Sequence, residues 1–267
     1  VHIGYAELAD TSMISSGYVI ADTLINLSDT AQQVFIIVTP YVQGGGISRC
    51  PGLPDTAIVW LEPTSKVVLV PQSDTICDNE PVDITVTSPT GSTLPVLFSY
   101  NVIYDADSIG YTLAGADTNL PKGYVIQDVL DNLSDTAQLV QFIVTPYTID
   151  QFGNIRCTGI NDTSDIWVEP TPQLVLVPQY DTLCNNEFTN IEIISVTKPT
   201  HPVRFMYTTL ADYPDSVIVT YLGDTTGLVN GEFIIDQIEN LSDTSQRIRY
   251  IVTPYTVDDF GNIRCSG

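Results

Sequence analysis

Asn132-Leu133-Ser134-Asp135-Thr136-Ala137-Gln138-Leu139-Val140-Gln141-Phe142-Ile143-Val144-Thr145-Pro146-Tyr147 is the stretch that decides how this chain folds. Its first five residues recur as Asn26-Leu27-Ser28-Asp29-Thr30 and Asn240-Leu241-Ser242-Asp243-Thr244, at steps of 106 and 108 residues. Its last four recur as Val38-Thr39-Pro40-Tyr41 and Val252-Thr253-Pro254-Tyr255, with the same steps. Between these anchors the pattern has period two. Val140, Phe142 and Val144 point one way, with Gln141 and Thr145 between them. The counterparts are Val34, Ile36 and Val38, then Ile248, Tyr250 and Val252, where Arg247 and Arg249 take the outward face. Alternation kept in every copy is the signature of a half-buried β-strand.

Working outward, further anchors keep the same spacing. Cys50, Cys157 and Cys265 form one series, Cys77 and Cys184 another, and Trp60 and Trp167 a third, with Glu62-Pro63 and Glu169-Pro170 beside them. Val96, Phe98 and Tyr100 match Val203, Phe205 and Tyr207. A unit of about 107 residues is too long for a helical solenoid repeat and has the size of one sandwich domain. The expected architecture is all-β, in tandem immunoglobulin-like antiparallel β-sandwiches. Residues 1-65 form the later part of a repeat, 66-172 a complete repeat, and 173-267 a repeat that stops before its last strand. Broken copies would leave open cores and unpaired edges. The sequence is therefore expected to continue on both sides, or neighbouring subunits supply the missing strands. The joint Glu169-Pro170-Thr171-Pro172 carries two prolines in four residues, which stiffens it and discourages a helix.

Composition narrows the function. With 267 residues and 43% hydrophobic content the chain can build real cores. It carries 9 Lys+Arg against 32 Asp+Glu, a net charge of -23, which repels nucleic acid and anionic membrane surfaces. No run reaches the ~18 apolar residues of a membrane span, and no signal peptide is read. Neither nucleic acid nor membrane insertion is expected.

Motifs of chemistry are sparse. His2 and His201 lack repeat equivalents, so both read as surface residues and no Ser/His/Asp triad is expected. No catalytic or cofactor-binding residue is assigned, and the chain is read as not an enzyme. Carboxylate pairs such as Asp258 with Asp259 follow from the number of acids. Calcium is kept as a minor candidate at Asp105 and Asp107, with Asp212 and Asp215 in the third copy, since Ca²⁺ takes six to eight oxygens. Asn26, Asn132, Asn240 and Asn161 match a glycosylation acceptor. The preferred reading of the first three is a hydrogen-bonded corner before the strand.

Recurrent cysteines point to disulfides in an oxidising exterior rather than to metal, since neither a CxxC pair nor a histidine cluster exists. Pairing Cys77 with Cys157 and Cys184 with Cys265 stays inside each unit. In a sandwich, however, Cys77 and Cys157 fall at opposite poles, about 17–20 Å apart, whereas a disulfide needs Cα atoms within ~7 Å. Cys77 with Cys265, across the joint, is favoured over that scheme, with Cys50 and the others paired outside the chain.

Several of these motifs resemble the PKD-like domains that recur in giant secreted bacterial surface proteins. Thr75-Ile76-Cys77 and the acidic turn after it look like that family's opening. Phe142–Tyr147, the Gly-Asn turn, Cys157-Thr158-Gly159 and Ile166–Pro172 resemble its penultimate strand, cysteine turn, last strand and proline linker. The resemblance covers all three copies and implies an extracellular, seven-stranded sandwich acting as spacer or adhesive repeat, without catalytic residues. The chain departs from the family at Thr148–Arg156, where simpler members have a tight turn. That longer loop is expected to be a contact surface. The leading expectation is a structural segment of a fibre, stalk or attachment appendage, assembled with neighbouring repeats or as a homo-oligomer or filament. The alternative is an adhesive module contacting glycans or a partner cell.

Overall fold

The computed structural model describes residues 3–6, 12–44 and 47–267. Among these the chain is all-β, with one 3-10 turn at Pro214–Ser216 and no α-helix. The first copy contributes β1 (Ile3–Ala6), β2 (Thr23–Asn26), β3 (Gln32–Val38), β4 (Tyr41–Gly44), β5 (Ile47–Pro51) and β6 (Asp55–Leu61). The second runs through β7 (Val68–Val70), β8 (Ser73–Ile76), β9 (Ile84–Thr87), β10 (Val96–Ile103) and β11 (Ile109–Thr112). It continues with β12 (Val125–Ile126), β13 (Val129–Asn132), β14 (Gln138–Ile149), β15 (Ile155–Thr158) and β16 (Asp162–Val168). The third begins with β17 (Leu174–Val177), β18 (Ile191–Ser195), β19 (Val203–Ala211), β20 (Val217–Tyr221) and β21 (Thr226–Leu228). It ends with β22 (Phe233–Ile234), β23 (Asp236–Asn240), β24 (Ile248–Val257) and β25 (Ile263–Ser266).

In the second copy one sheet has the order β10-β14-β16-β8, with β15 also on β14, and another has the order β12-β9-β7; β11 pairs β13. Both sheets feed one buried cluster: Leu69, Ile84 and Ile126 from one, Phe98, Phe142 and Ile166 from the other. The alternation read from the sequence sets this up. Val140, Phe142 and Val144 are each 0% exposed. Burying such side chains stabilises by roughly 1.5–3 kcal/mol each. The third copy repeats the scheme with β17-β18-β22 and β21-β19-β24-β25, around a smaller core of Ile193, Phe205, Tyr207, Leu228 and Ile234.

One expectation is corrected. The sheets are not purely antiparallel, because β8 lies parallel to β16, from Asp165 opposite Ser73 to Val168 opposite Ile76. The reason is topological. The chain leaves β7 in one sheet and crosses at Pro71 to the other, and the edge left open there is that of β16, which runs the same way. Val70-Pro71 and Val177-Pro178 are both cis, at equivalent places.

Candidate functional site at the joints between repeats

Each joint is built from backbone first. Gly91 exchanges hydrogen bonds with the segment before β3, donating to Asp29 O at 2.7 Å and accepting from Ala31 N at 2.8 Å. Lys198 does the same one repeat on, with Asp135 O at 2.7 Å and Ala137 N at 3.2 Å. Carbonyls and amides that would otherwise be orphaned at the end of a copy are thereby satisfied across the joint.

A buried carboxylate then locks the same place. Glu169, 1% exposed, accepts from Thr200 N at 2.9 Å, from Thr200 Oγ1, from His201 N at 3.2 Å, and meets His201 Nδ1 at 2.9 Å. Glu62 holds the preceding joint through Ser92 Oγ at 2.6 Å, Thr93 N at 3.1 Å and Thr93 Oγ1. His201 is therefore not a free surface residue, since its ring is drawn against the buried acid. His2 lies outside the described residues. Recurrence of Glu-Pro with a threonine 31 residues later was a usable signal for this contact (Glu62 to Thr93, Glu169 to Thr200), and sequence reasoning missed it.

Glycine supplies the third element. In the Cys-x-Gly turns, Gly52, Gly159 and Gly267 donate to Pro40, Pro146 and Pro254 O at 2.7, 2.8 and 2.9 Å. At Gly159 and Gly267 there is no room for a Cβ, because the backbone carbonyls of Ser65 and Pro172 in the incoming linker occupy the space. Ile160 N closes the contact by donating to Ser65 O at 2.9 Å.

The joint between the second and third copies carries a covalent bond. Cys77, just after β8, is bonded to Cys265 on β25 with Cα atoms 5.6 Å apart. Beside it Arg264 Nη2 donates to Thr75 O at 2.6 Å, and Thr171 Oγ1 to Asp78 Oδ2 at 2.6 Å. Cys157 and Cys184 are free thiols, so the alternative of Cys77 with Cys157 and Cys184 with Cys265 is not the arrangement found; Cys50 is free and exposed. Asp131 sits next to Asp78, and partial burial, then that neighbouring carboxyl, raises its pKa above the usual carboxylate value.

The other candidate positions resolve into turns and corners. Asp105 Oδ1 accepts from Asp107 N at 3.1 Å and Oδ2 from Ser108 Oγ at 2.9 Å, which is a capped turn leading into β11. Asp212 accepts from Arg249 at 2.7 Å and Arg247 at 3.0 Å, and these contacts, Arg249 first, lower its pKa. Among the described residues no three His, Cys, Asp or Glu are grouped to hold a metal ion. Asn132 is buried, its Nδ2 donating to Thr136 O at 2.9 Å and Val168 O at 2.8 Å while its Oδ1 accepts from Ser134. Asn26 and Asn240 keep the same corner.

Thr148–Arg156 is not a loop throughout. Thr148 and Ile149 end β14, Ile155 and Arg156 open β15, and only the tip between them turns. Asp150 organises that tip by accepting from Phe152 N and Asn154 N, each at 2.9 Å, and Asp258 does so for Phe260 and Asn262. Bonds to Asn154 and to Asn262 respectively hold both acids below their ordinary pKa.

Inside the second and third copies lies a second feature the sequence reading missed. Asp128, 1% exposed, accepts from Tyr100 Oη at 2.7 Å, Tyr111 Oη at 2.6 Å and Ala114 N at 2.9 Å. Asp236, 0% exposed, takes Tyr207 Oη at 3.0 Å and 3.1 Å. Burial first, then the neighbouring carboxylate, pushes the phenols of Tyr100, Tyr111 and Tyr207 well up.

No family model matches this chain, and no curated protein matches it. Among solved structures it is similar to the YadV chaperone at 10% identity and a TM-score of 0.29, covering 75% of this chain and 97% of that one. Among the described residues no helix is long and apolar enough to cross a membrane.

Proposed function

We propose that this chain is a structural repeat segment of a long extracellular fibre, stalk or attachment appendage of a bacterial cell. Its units are read as immunoglobulin-like sandwiches similar to PKD-like domains, bounded at residues 1-65, 66-172 and 173-267. The observation that carries the reading is the joint. A glutamate that caps the incoming Thr turn, a paired backbone and a glycine packed on the linker recur at successive joints, the glutamate being buried at the second, and a disulfide adds to that one. Domains that only need to be tethered have no use for a joint fastened in four ways, whereas a load-bearing series does. The bond suggests a rule: the first cysteine of one repeat joins the second cysteine of the next. Cys50, Cys157 and Cys184 then take partners in further repeats, in an oxidising exterior. The acidic surface keeps neighbouring chains apart.

Negative-stain electron microscopy of the native full-length product tests this. Rods or filaments with a beaded texture, bending more freely after reduction, are the expected result. A compact particle unaffected by reductant would overturn it.

The adhesive reading has one observation behind it. Phe152 and Phe260, 79% and 91% exposed, stand at equivalent hairpin tips. Replacing both by alanine would abolish cell or glycan binding by the native protein if that reading holds.

A further inference from the structure

A groove that the second copy fills with its own side chain is open in the third. The turns entering β12 and β22 have the same backbone. Gly123 and Gly231 have φ of +87° and +82°, and donate to Val86 O and Ile193 O at 2.8 Å each. Tyr124 N and Glu232 N donate to Pro121 O and Val229 O, each at 3.1 Å. Their carbonyls accept from Val86 N at 2.8 Å and Ile193 N at 2.9 Å. Residues 124 and 232 therefore stand at the same point of their sheets, with different side chains.

Tyr124 packs its ring on the core of the second copy and brings its Oη to Ala116 O at 3.4 Å. A methyl group on Gly115 would overlap that hydroxyl. Glu232 instead bends back over its own turn, its Oε2 accepting from Val229 N at 2.8 Å. Gly223, which matches Gly115, has nothing within 4 Å of its Cβ position. What is left is an open cavity of about 220 Å³. Tyr207, Leu228 and Ile234 form its buried floor, and Leu222 and Phe233 its exposed walls.

Size and lining choose the ligand. An apolar cavity of ~150 Å³ holds one benzene ring, so this one has room for a single substituted ring. The second copy shows which ring fits, a p-hydroxyphenyl group whose hydroxyl reaches the main-chain carbonyl at the position of Asp224. Charge chooses what surrounds it. Asp224 and Glu232 stand exposed at the mouth, where the second copy has the uncharged Ala116 and Tyr124. Two carboxylates there, on a chain of net charge -23, disfavour an acidic occupant such as the chain's own Asp258-Asp259-Phe260 tip. We propose that this cavity binds the tyrosine side chain of a partner polypeptide, presented beside lysine or arginine. The ring takes the place that Tyr124 fills in the second copy, and the flanking cations meet Asp224 and Glu232.

The test titrates the peptide acetyl-Gly-Lys-Tyr-Lys-Gly-amide into the full chain and follows methyl resonances by NMR. Those of Leu222, Leu228 and Ile234 should shift saturably, with a dissociation constant of about 1 mM, the strength of one buried ring. The same peptide with alanine for tyrosine should not bind, and with glutamate for both lysines it should bind at least about fivefold more weakly. Glu232→Tyr should close the cavity from within, abolish binding and raise the melting temperature. Glu232→Gln leaves the cavity open and should still bind, about two- to fivefold more weakly. No saturable shift up to ~10 mM, equal binding of the acidic peptide, or undiminished binding to Glu232→Tyr overturns the proposal. The cavity does not depend on how the joints work, so failure here leaves the structural reading standing.

Discussion

Gly159 and Ser65 touch so closely that a methyl group on the glycine would overlap the serine's carbonyl oxygen. The contact is between backbones, so no rotamer change can relieve it. It fixes how the linker enters the second unit, and Ile160 N reads the same carbonyl at 2.9 Å.

Gly159→Ala should therefore cost about 1–3 kcal/mol, as overpacking does, and lower the melting temperature by several degrees. The control is Gly153→Ala, where nothing lies within 4 Å and φ is +83°. There the cost is only the left-handed backbone, roughly 1–2 kcal/mol. Calorimetry of both variants checks the two costs, and limited proteolysis should show Gly159→Ala loosening the joint at residues 62–66 and Gly153→Ala leaving it protected.

Replacing Cys77 and Cys265 together by serine opens a loop of 188 residues. The chain-entropy treatment assigns a loop of that length ~5 kcal/mol, with measured bridges more often delivering ~2–4 kcal/mol. The expected outcome is uncoupled unfolding: the second unit keeps its transition while the third melts earlier. Small-angle scattering should show a broader distribution of distances. A single unchanged transition would contradict this.

Glu169→Ala removes a buried acceptor from Thr200 N, Thr200 Oγ1 and His201 N at once. Glu169 is 1% exposed and its contacts are part-buried, whereas Glu62 is only half-buried and meets Thr93 at an exposed contact. Hydrogen-bonding groups shut away from water and left without partners cost ~1–3 kcal/mol, so this variant should destabilise more than Glu62→Ala. Glu169→Gln keeps an acceptor oxygen and should recover about half of the loss. Thermal unfolding of the three variants side by side checks the order.

The buried phenols set an alkaline limit. Folding raises the pKa of Tyr100, Tyr111 and Tyr207, chiefly by burial. In the unfolded chain they titrate near 10, so above that pH the unfolded state has lost protons that the native state keeps. Stability from these groups is then complete below pH ~10 and falls as pH rises further. Ultraviolet titration of the 14 tyrosines should show an exposed class ionising first and a buried class ionising only with unfolding. Asp128→Asn, which removes the carboxylate beside two of them, should lower the pH at which the buried class appears.

Much of this molecule could be read from spacing and alternation. Period two at Val140, Phe142 and Val144 determined which face is core, because successive strand side chains point to opposite sides of a sheet. Recurrence of the Asn-Leu-Ser-Asp-Thr corner determined the repeat length, since short polar side chains bond to nearby backbone wherever they stand. What depends on residues far apart in the chain stayed out of reach. Nothing local says that β8 lies parallel to β16, that Glu169 meets Thr200, or that Asp128 draws Tyr100 and Tyr111 together. Those contacts arise where separate segments are brought to one place, and only the packed structure decides which carboxylate is buried, which is paired by arginine, and which merely caps a turn.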